Sequence, residues 1–146
     1  MSTMNYPGIG IWKLVSYEAR REDGSIIFPI GKDGIGQIVY DAKGNMSAQV
    51  ANIHRPAFAA DDRLKGTATE IKMALEGYTA YFGTYELDMA TKTVIHHVKG
   101  SLFPNWVGTD QVRYFEFAGN RMTLRTAPMH IGGEDVIGTL IWEKIS

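Results

Sequence analysis

Gln37-Ile-Val-Tyr40-Asp-Ala-Lys-Gly-Asn-Met46-Ser-Ala-Gln-Val-Ala51 contains the plan of the fold in fifteen residues. Two runs of β-branched, aromatic and apolar residues flank Asp41-Ala-Lys-Gly-Asn45, which reads as a tight loop between antiparallel strands. The pattern repeats outward. Phe117-Ala-Gly-Asn-Arg121 is a second tight loop, and Asp23-Gly24, Asp33-Gly34 and Gly132-Gly133 punctuate other apolar stretches. Strands are expected near residues 11–19, 37–40, 46–51, 80–88, 93–102, 111–117, 121–126 and 137–144. A short extended piece at 25–28 would lengthen the first hairpin.

One segment breaks the pattern. Thr67-Ala-Thr-Glu70 has capping-box spacing, in which Thr67 and Glu70 satisfy each other's backbone donors. Ile71, Ala74, Leu75 and Tyr78 follow at helical spacing, with Gly77 marking the end. One short helix, about residues 68–77, is therefore expected between the third and fourth strands. Antiparallel strands in sequence order fit an up-and-down barrel or a sandwich. The barrel is favoured because closure removes exposed edges, and eight strands leave room for one small ligand.

The 146 residues are 45% hydrophobic, enough for a core, and no linker or repeat interrupts them. A single domain spanning 1–146, with its core about 9–145, is expected. Fifteen basic against sixteen acidic residues argue against nucleic acid or anionic membrane held by bulk charge. The absence of cysteine excludes disulfides, a thiolate nucleophile and cysteine metal sites. No apolar run approaches the ~18–20 residues that span a bilayer. The first residues lack signal-peptide character, so the cytoplasm is the expected location.

Period-two alternation assigns the inward faces. Trp12, Leu14, Ser16 and Glu18 share one face of the first strand, and the tryptophan points that face inward. Tyr40, Tyr85, His96, Arg113, Phe115 and Trp142 join it from other strands. The expected lining is apolar and aromatic, interrupted by Glu18, Tyr40, Tyr85, His96 and Arg113. Apolar walls that bind and sparse polar groups that orient are the marks of a small-molecule pocket. Ligand contacts are expected from Trp12, Tyr40, Tyr85, His96, Arg113, Phe115 and Trp142. Buried charge needs a partner, so Arg113 should meet Glu18 or an anionic or carbonyl-bearing ligand.

Three readings follow from this lining. The first is a binder of a small hydrophobic or aromatic metabolite. The second is a cofactor-free cyclase or isomerase on a polyketide-like substrate, using His96, Arg113, Tyr85 and Glu18 as proton donors or oxyanion stabilisers. The third is a packed barrel with a structural or interaction role, and a homodimer stays open. No cofactor is expected. No metal is expected either, because His54, His96, His97 and His130 lack ligand spacing. Gly31-Lys-Asp-Gly-Ile-Gly36 lacks phosphate-loop spacing and reads as a turn. Trp106 reads as a plug for one end or as a rim residue, and residues 52–77 as a lid closing through Pro56, Phe58, Ile71 and Leu75.

Gly10-Ile11-Trp12 has the Gly-x-Trp form typical of lipocalins. Tyr81-Phe-Gly-Thr-Tyr-Glu86, His96-His-Val-Lys-Gly-Ser-Leu-Phe-Pro-Asn-Trp-Val-Gly108, Asp110-Gln-Val-Arg-Tyr-Phe115, Arg121-Met-Thr-Leu-Arg125 and Leu140-Ile-Trp-Glu143 extend the likeness. Together they resemble the small bacterial and fungal lipocalin-like domain family of the calycin superfamily. The resemblance implies an eight-stranded barrel with one open end and a carrier of small hydrophobic molecules. Some members are presumed cyclases or isomerases in natural-product pathways. It also implies a basic residue against the Gly-x-Trp tryptophan, a place that Lys144 or Arg125 would fill.

Overall fold

A computed structural model describes residues 6–146. Strand β1 (Gly10–Arg21) is followed by the two-residue β2 (Ile26–Ile27), then β3 (Ile35–Tyr40) and β4 (Asn45–Ala51). Helix α1 (Ala68–Glu76) precedes β5 (Tyr78–Asp88) and β6 (Thr93–Ser101). A 3-10 turn, Pro104–Trp106, leads to β7 (Asp110–Ala118), β8 (Arg121–Thr126), β9 (Met129–Ile131) and β10 (Glu134–Lys144). The sheet runs β2-β1-β3-β4-β5-β6-β7-β8-β10-β9, and β1 also pairs with β10. That last pairing closes eight antiparallel strands into a barrel, while β2 and β9 are short arms on β1 and β10. Closure leaves the barrel strands no free edge.

Two expectations are corrected. The helix lies after β4, not between the third and fourth strands, because the Ile26–Ile27 pair forms a strand of its own. It also ends at Glu76, one residue before Gly77, whose N–H reaches the Met73 carbonyl at 3.1 Å. The capping box forms: Thr67 Oγ1 accepts from the Glu70 N–H at 3.2 Å, and Glu70 Oε1 accepts from the Thr67 N–H at 2.8 Å. The other Glu70 oxygen accepts from the Ala59 N–H, tying the preceding loop to the helix start. The helix buries no residue. Ile71 and Leu75 stay about half exposed, so α1 flanks the barrel mouth and does not cover it. Strand β9 had no counterpart in the expected order, since three residues beside Gly132-Gly133 are too few to show a period.

The second correction concerns register. Leu14 pairs with Trp142, but Ser16 pairs with Ile141, so Val15 is an extra residue in β1. Such a bulge inverts every later side chain relative to strict alternation. Tyr17, opposite Leu140, therefore takes the inward place and Glu18 turns to the outer face. A second irregularity lies between Phe82 and Gly83, where β5 skips one residue of β6. The β6 backbone comes so close here that a Cβ on Gly83 would sit 1.8 Å from the His97 carbonyl oxygen.

One end of the barrel is solid. Tyr6, Tyr40, Tyr85, Phe115 and Phe117 meet there with ring centroids 4.9 to 5.8 Å apart, and Trp12 and Met122 pack beside them. Offset and edge-on aromatic pairs of this kind add about 0.5–1.5 kcal/mol each beyond their buried area. The Trp12 indole N–H donates to the Gly8 carbonyl at 2.8 Å, pinning the segment that carries Tyr6 across this end. Lys144 takes the basic place against the tryptophan, its Nζ 5.7 Å from the Trp12 ring centroid. Arg125 instead pairs with Glu116 on the outer face. Among the described residues no helix is long and apolar enough to cross a membrane.

Candidate functional site

The other end is hollow. A cavity of about 720 Å³ opens between the tip of α1, the 3-10 turn and the β8–β10 connection. Ile38, Val50, Leu124, Leu140 and Trp142 give its walls an apolar surface, and Tyr17, Tyr81, His96, Gln111, Arg113 and Thr126 add polar atoms. Leu75 and Glu76 of α1, Phe103, Asn105 and Trp106 of the turn, and residues 128–131 form the rim. Trp106 is thus a rim residue, edge-on to Tyr81 at 5.3 Å. Pockets of roughly 300–1,000 Å³ suit single small molecules.

Arg113 dominates the site electrostatically. It projects from β7, is only 6% exposed, and has Val94 of β6 and Thr126 of β8 as register partners. Its Nη1 donates to the Val112 carbonyl at 3.0 Å, and its guanidinium carbon lies 6.0 Å from the Trp106 ring centroid. Its charge also acts on the Tyr81 hydroxyl. No carboxylate lies within salt-bridge distance of it among the described residues, whereas five Lys or Arg ion pairs form on the surface elsewhere. A guanidinium has five N–H donors and no acceptor. Part of this fork therefore faces the cavity without a protein partner.

His96 is held between two tyrosines. Tyr81 Oη stands 2.7 Å from His96 Nδ1, and Tyr40 Oη stands 2.6 Å from His96 Nε2. A neutral imidazole donates from one ring nitrogen and accepts at the other, so one tyrosine hydroxyl donates to the ring and the other accepts from it. Tyr6 stands edge-on to Tyr40, and its hydroxyl donates to Met122 Sδ at 3.7 Å. Burial holds His96 well below the usual histidine range, and the Arg113 charge lowers it further. Burial likewise raises Tyr17, Tyr40 and Tyr81 above the usual phenol range, with Arg113 opposing the rise in each. All four are therefore neutral near pH 7.

Of the residues expected to touch ligand, His96, Arg113 and Trp142 line the cavity. Trp12, Tyr40, Tyr85 and Phe115 do not: they point inward as expected, but into the solid end. Tyr85 donates to the Asp41 carbonyl there at 2.6 Å. Alternation reports which face a residue takes and not how far along the barrel it sits, which is why these four were misplaced. Glu18 faces outward, so it neither pairs with Arg113 nor acts in the cavity. A cyclase built on Glu18 and Tyr85 does not have them at its disposal, and both His96 ring nitrogens are already occupied by tyrosines. Tyr17, Tyr81, Gln111, Trp106 and Thr126 enter the lining instead. Tyr81 was legible as the residue four before Tyr85 on the same face, whereas Tyr17 needed the bulge. The buried Trp142 indole N–H in the cavity wall has no acceptor among the described residues.

The chain belongs to the lipocalin-like domain family, which it matches over residues 9–145. It is 37% identical over 107 residues to the 4'-hydroxy-3'-methoxypropiophenone carrier protein ppsC of Aspergillus oryzae (strain ATCC 42149 / RIB 40). That alignment covers 68% of this chain and 96% of the relative. A solved structure named REP1-NXSQ fatty acid transporter is similar with a TM-score of 0.41 and 14% identity, covering 94% of this chain and 96% of its own.

Proposed function

We propose that this lipocalin-like barrel is a cytoplasmic carrier that holds one small hydrophobic, aromatic metabolite of a natural-product pathway in its cavity. The observation that carries the reading is a hollow, apolar barrel end holding a buried guanidinium that no carboxylate neutralises. Apolar walls supply affinity at roughly 25 cal/mol per Å² of ligand surface removed from water. Trp106 and Tyr81 present aromatic faces at the mouth, and Arg113 offers an oxygen-bearing guest its one charged donor. The likeness to a propiophenone carrier supports a guest of the same chemistry, an aromatic ring bearing a ketone and a hydroxyl.

Tryptophan fluorescence titration against a panel of hydroxylated aryl ketones tests this. Trp106 on the rim and Trp142 in the wall make the signal sensitive to an occupied cavity. Saturable one-to-one quenching, accompanied by a rise in melting temperature with ligand concentration, is expected. Absence of saturable binding across aryl ketones and other apolar metabolites of matching volume would refute the carrier.

A further inference from the structure

The carrier reading places a guest in the cavity, and the charges around Arg113 say in what form that guest is held. Four titratable groups feel the guanidinium: Tyr17 from β1, Tyr40 from β3, Tyr81 from β5 and His96 from β6. None of them is an acid near neutral pH. Among the cavity residues the only carboxylate is Glu76, at the rim and already bridged to Lys72 at 2.8 Å. His130, also on the rim, pairs with Asp135 at 3.2 Å. Among the described residues, the cavity interior therefore holds one fixed positive charge with no protein counter-charge, in a site where solvent screens it poorly. Burying a lone charge is costly, and a guest that brings the opposite charge removes that cost.

The hydrogen-bond chemistry sharpens this. The Tyr81 hydroxyl is already engaged by His96 at 2.7 Å. A neutral hydroxyl seated on Arg113 can accept its N–H groups, but its own O–H then needs an acceptor and the guanidinium keeps its charge, whereas an oxyanion needs no acceptor and neutralises it. We propose that the cavity selects its guest as an oxyanion, the deprotonated phenol, enol or carboxyl oxygen of an aromatic molecule seated against Arg113, and that uptake of the protonated form releases its proton to solvent. The proton has no home inside. The tyrosines keep their own, and both His96 ring nitrogens are already hydrogen-bonded to tyrosine hydroxyls. The proposal rests on the carrier reading of the same cavity.

The full-length protein is titrated with para-nitrophenol, whose phenolate has its own visible band, across the pH range in which the free molecule ionises. Para-nitroanisole serves as the neutral partner of the same shape, and benzoate with methyl benzoate forms a second charged and neutral pair. The bound nitrophenol should show the phenolate band at a pH where the free molecule is still protonated. An opposite charge at this distance commonly shifts ionisation by about one to three units, so each anion should bind at least about tenfold tighter than its neutral partner. Arg113→Met should abolish that preference and Arg113→Lys should restore part of it. If Arg113→Met does not fold, the wild-type comparison within each pair decides alone. The tighter of nitrophenolate and benzoate identifies the oxygen class, and a preference for either anion over its neutral partner supports the proposal. Equal binding of charged and neutral partners, with the spectrum of bound nitrophenol unchanged, overturns it while leaving the carrier intact. Binding of neither member of either pair removes the carrier reading as well.

Discussion

Mild acid should destabilise this barrel through one residue. His96 is fully buried, its two ring nitrogens are hydrogen-bonded to Tyr81 and Tyr40, and its neutral form is favoured well below the ordinary histidine range. In the unfolded chain the same imidazole takes up a proton below about pH 6.5. Below that point the unfolded state binds a proton that the native state refuses, so stability is lost as pH falls. Each unit costs about 1.4 kcal/mol, and a fall to about pH 5 removes about 2 kcal/mol. At 2–4 °C per kcal/mol this lowers the melting temperature by about 4–8 °C. Other shifted groups act in other windows. His97 is raised, chiefly by its bond to Asp110, so its contribution is present below about pH 6.5 and fades as pH rises through its folded value. Asp23, Asp33, Asp41 and Glu70 are lowered, so theirs is lost only around and below about pH 4. Urea unfolding of the wild type between about pH 7 and pH 5 measures the slope, with His96→Met as the comparator. His96→Met starts less stable but should lose little of the midpoint that the wild type loses over this range. Equal slopes in the two proteins, or a His96 ring resonance titrating near pH 6.5, would refute the reasoning.

Three further outcomes follow from single contacts. Tyr81→Phe keeps the ring but leaves His96 Nδ1 buried without its hydrogen-bond partner, which should cost about 1–3 kcal/mol in urea unfolding; ring-nitrogen NMR should also show that Nδ1 has lost a hydrogen bond. Gly83→Ala forces the strands apart at the His97 carbonyl and should cost about 3 kcal/mol or prevent folding, while Gly24→Ala, where an added Cβ meets nothing but φ is +87°, should cost only about 1 kcal/mol. Trp106→Phe should remove the rim part of the ligand-dependent fluorescence change and leave the part from Trp142, while changing affinity less than tenfold, because an aromatic face remains at the rim.

The barrel was legible in the sequence because its strands obey a period of two and its turns carry the residues that tight turns require. Ile38 and Tyr40, Met46 with Ala48 and Val50, Tyr81 with Tyr85, and His96 with Val98 all took the inward face that alternation assigns. Alternation fails where a backbone irregularity leaves no mark in composition. Val15 is an ordinary strand residue, yet as the bulged one it exchanged Glu18 for Tyr17 in the cavity. Depth was illegible for a different reason. Whether an inward aromatic fills a barrel or lines a hollow depends on what crosses the axis at its level. Tyr6, four residues before β1 begins, does this at the solid end, and no periodic pattern includes it.

The boundary between the solid and hollow halves explains why the polar residues lie where they do. Tyr40, His96 and Tyr81 cross the barrel as a layer, and His96 is the hinge of their hydrogen bonds. Below them the rings pack against one another; above them lies the cavity. An apolar layer at this level would close the barrel as well, but it would place no polar oxygen within reach of the Arg113 charge. The layer therefore does two things at once: it sets the depth to which a guest descends, and through Tyr81 it gives the buried guanidinium a polar neighbour. Had Val15 paired in register instead of bulging, Glu18 would take the inward place of Tyr17, which lies within electrostatic reach of Arg113, and would counter its charge from within. The bulge thus separates a barrel whose interior charge is closed from one whose charge awaits a guest. Deleting Val15 should therefore do less than its place in a strand suggests: Leu14, Ser16 and Tyr17 keep their partners on the last strand, so a folded variant keeps Tyr17 inward, Glu18 outward and its anion binding.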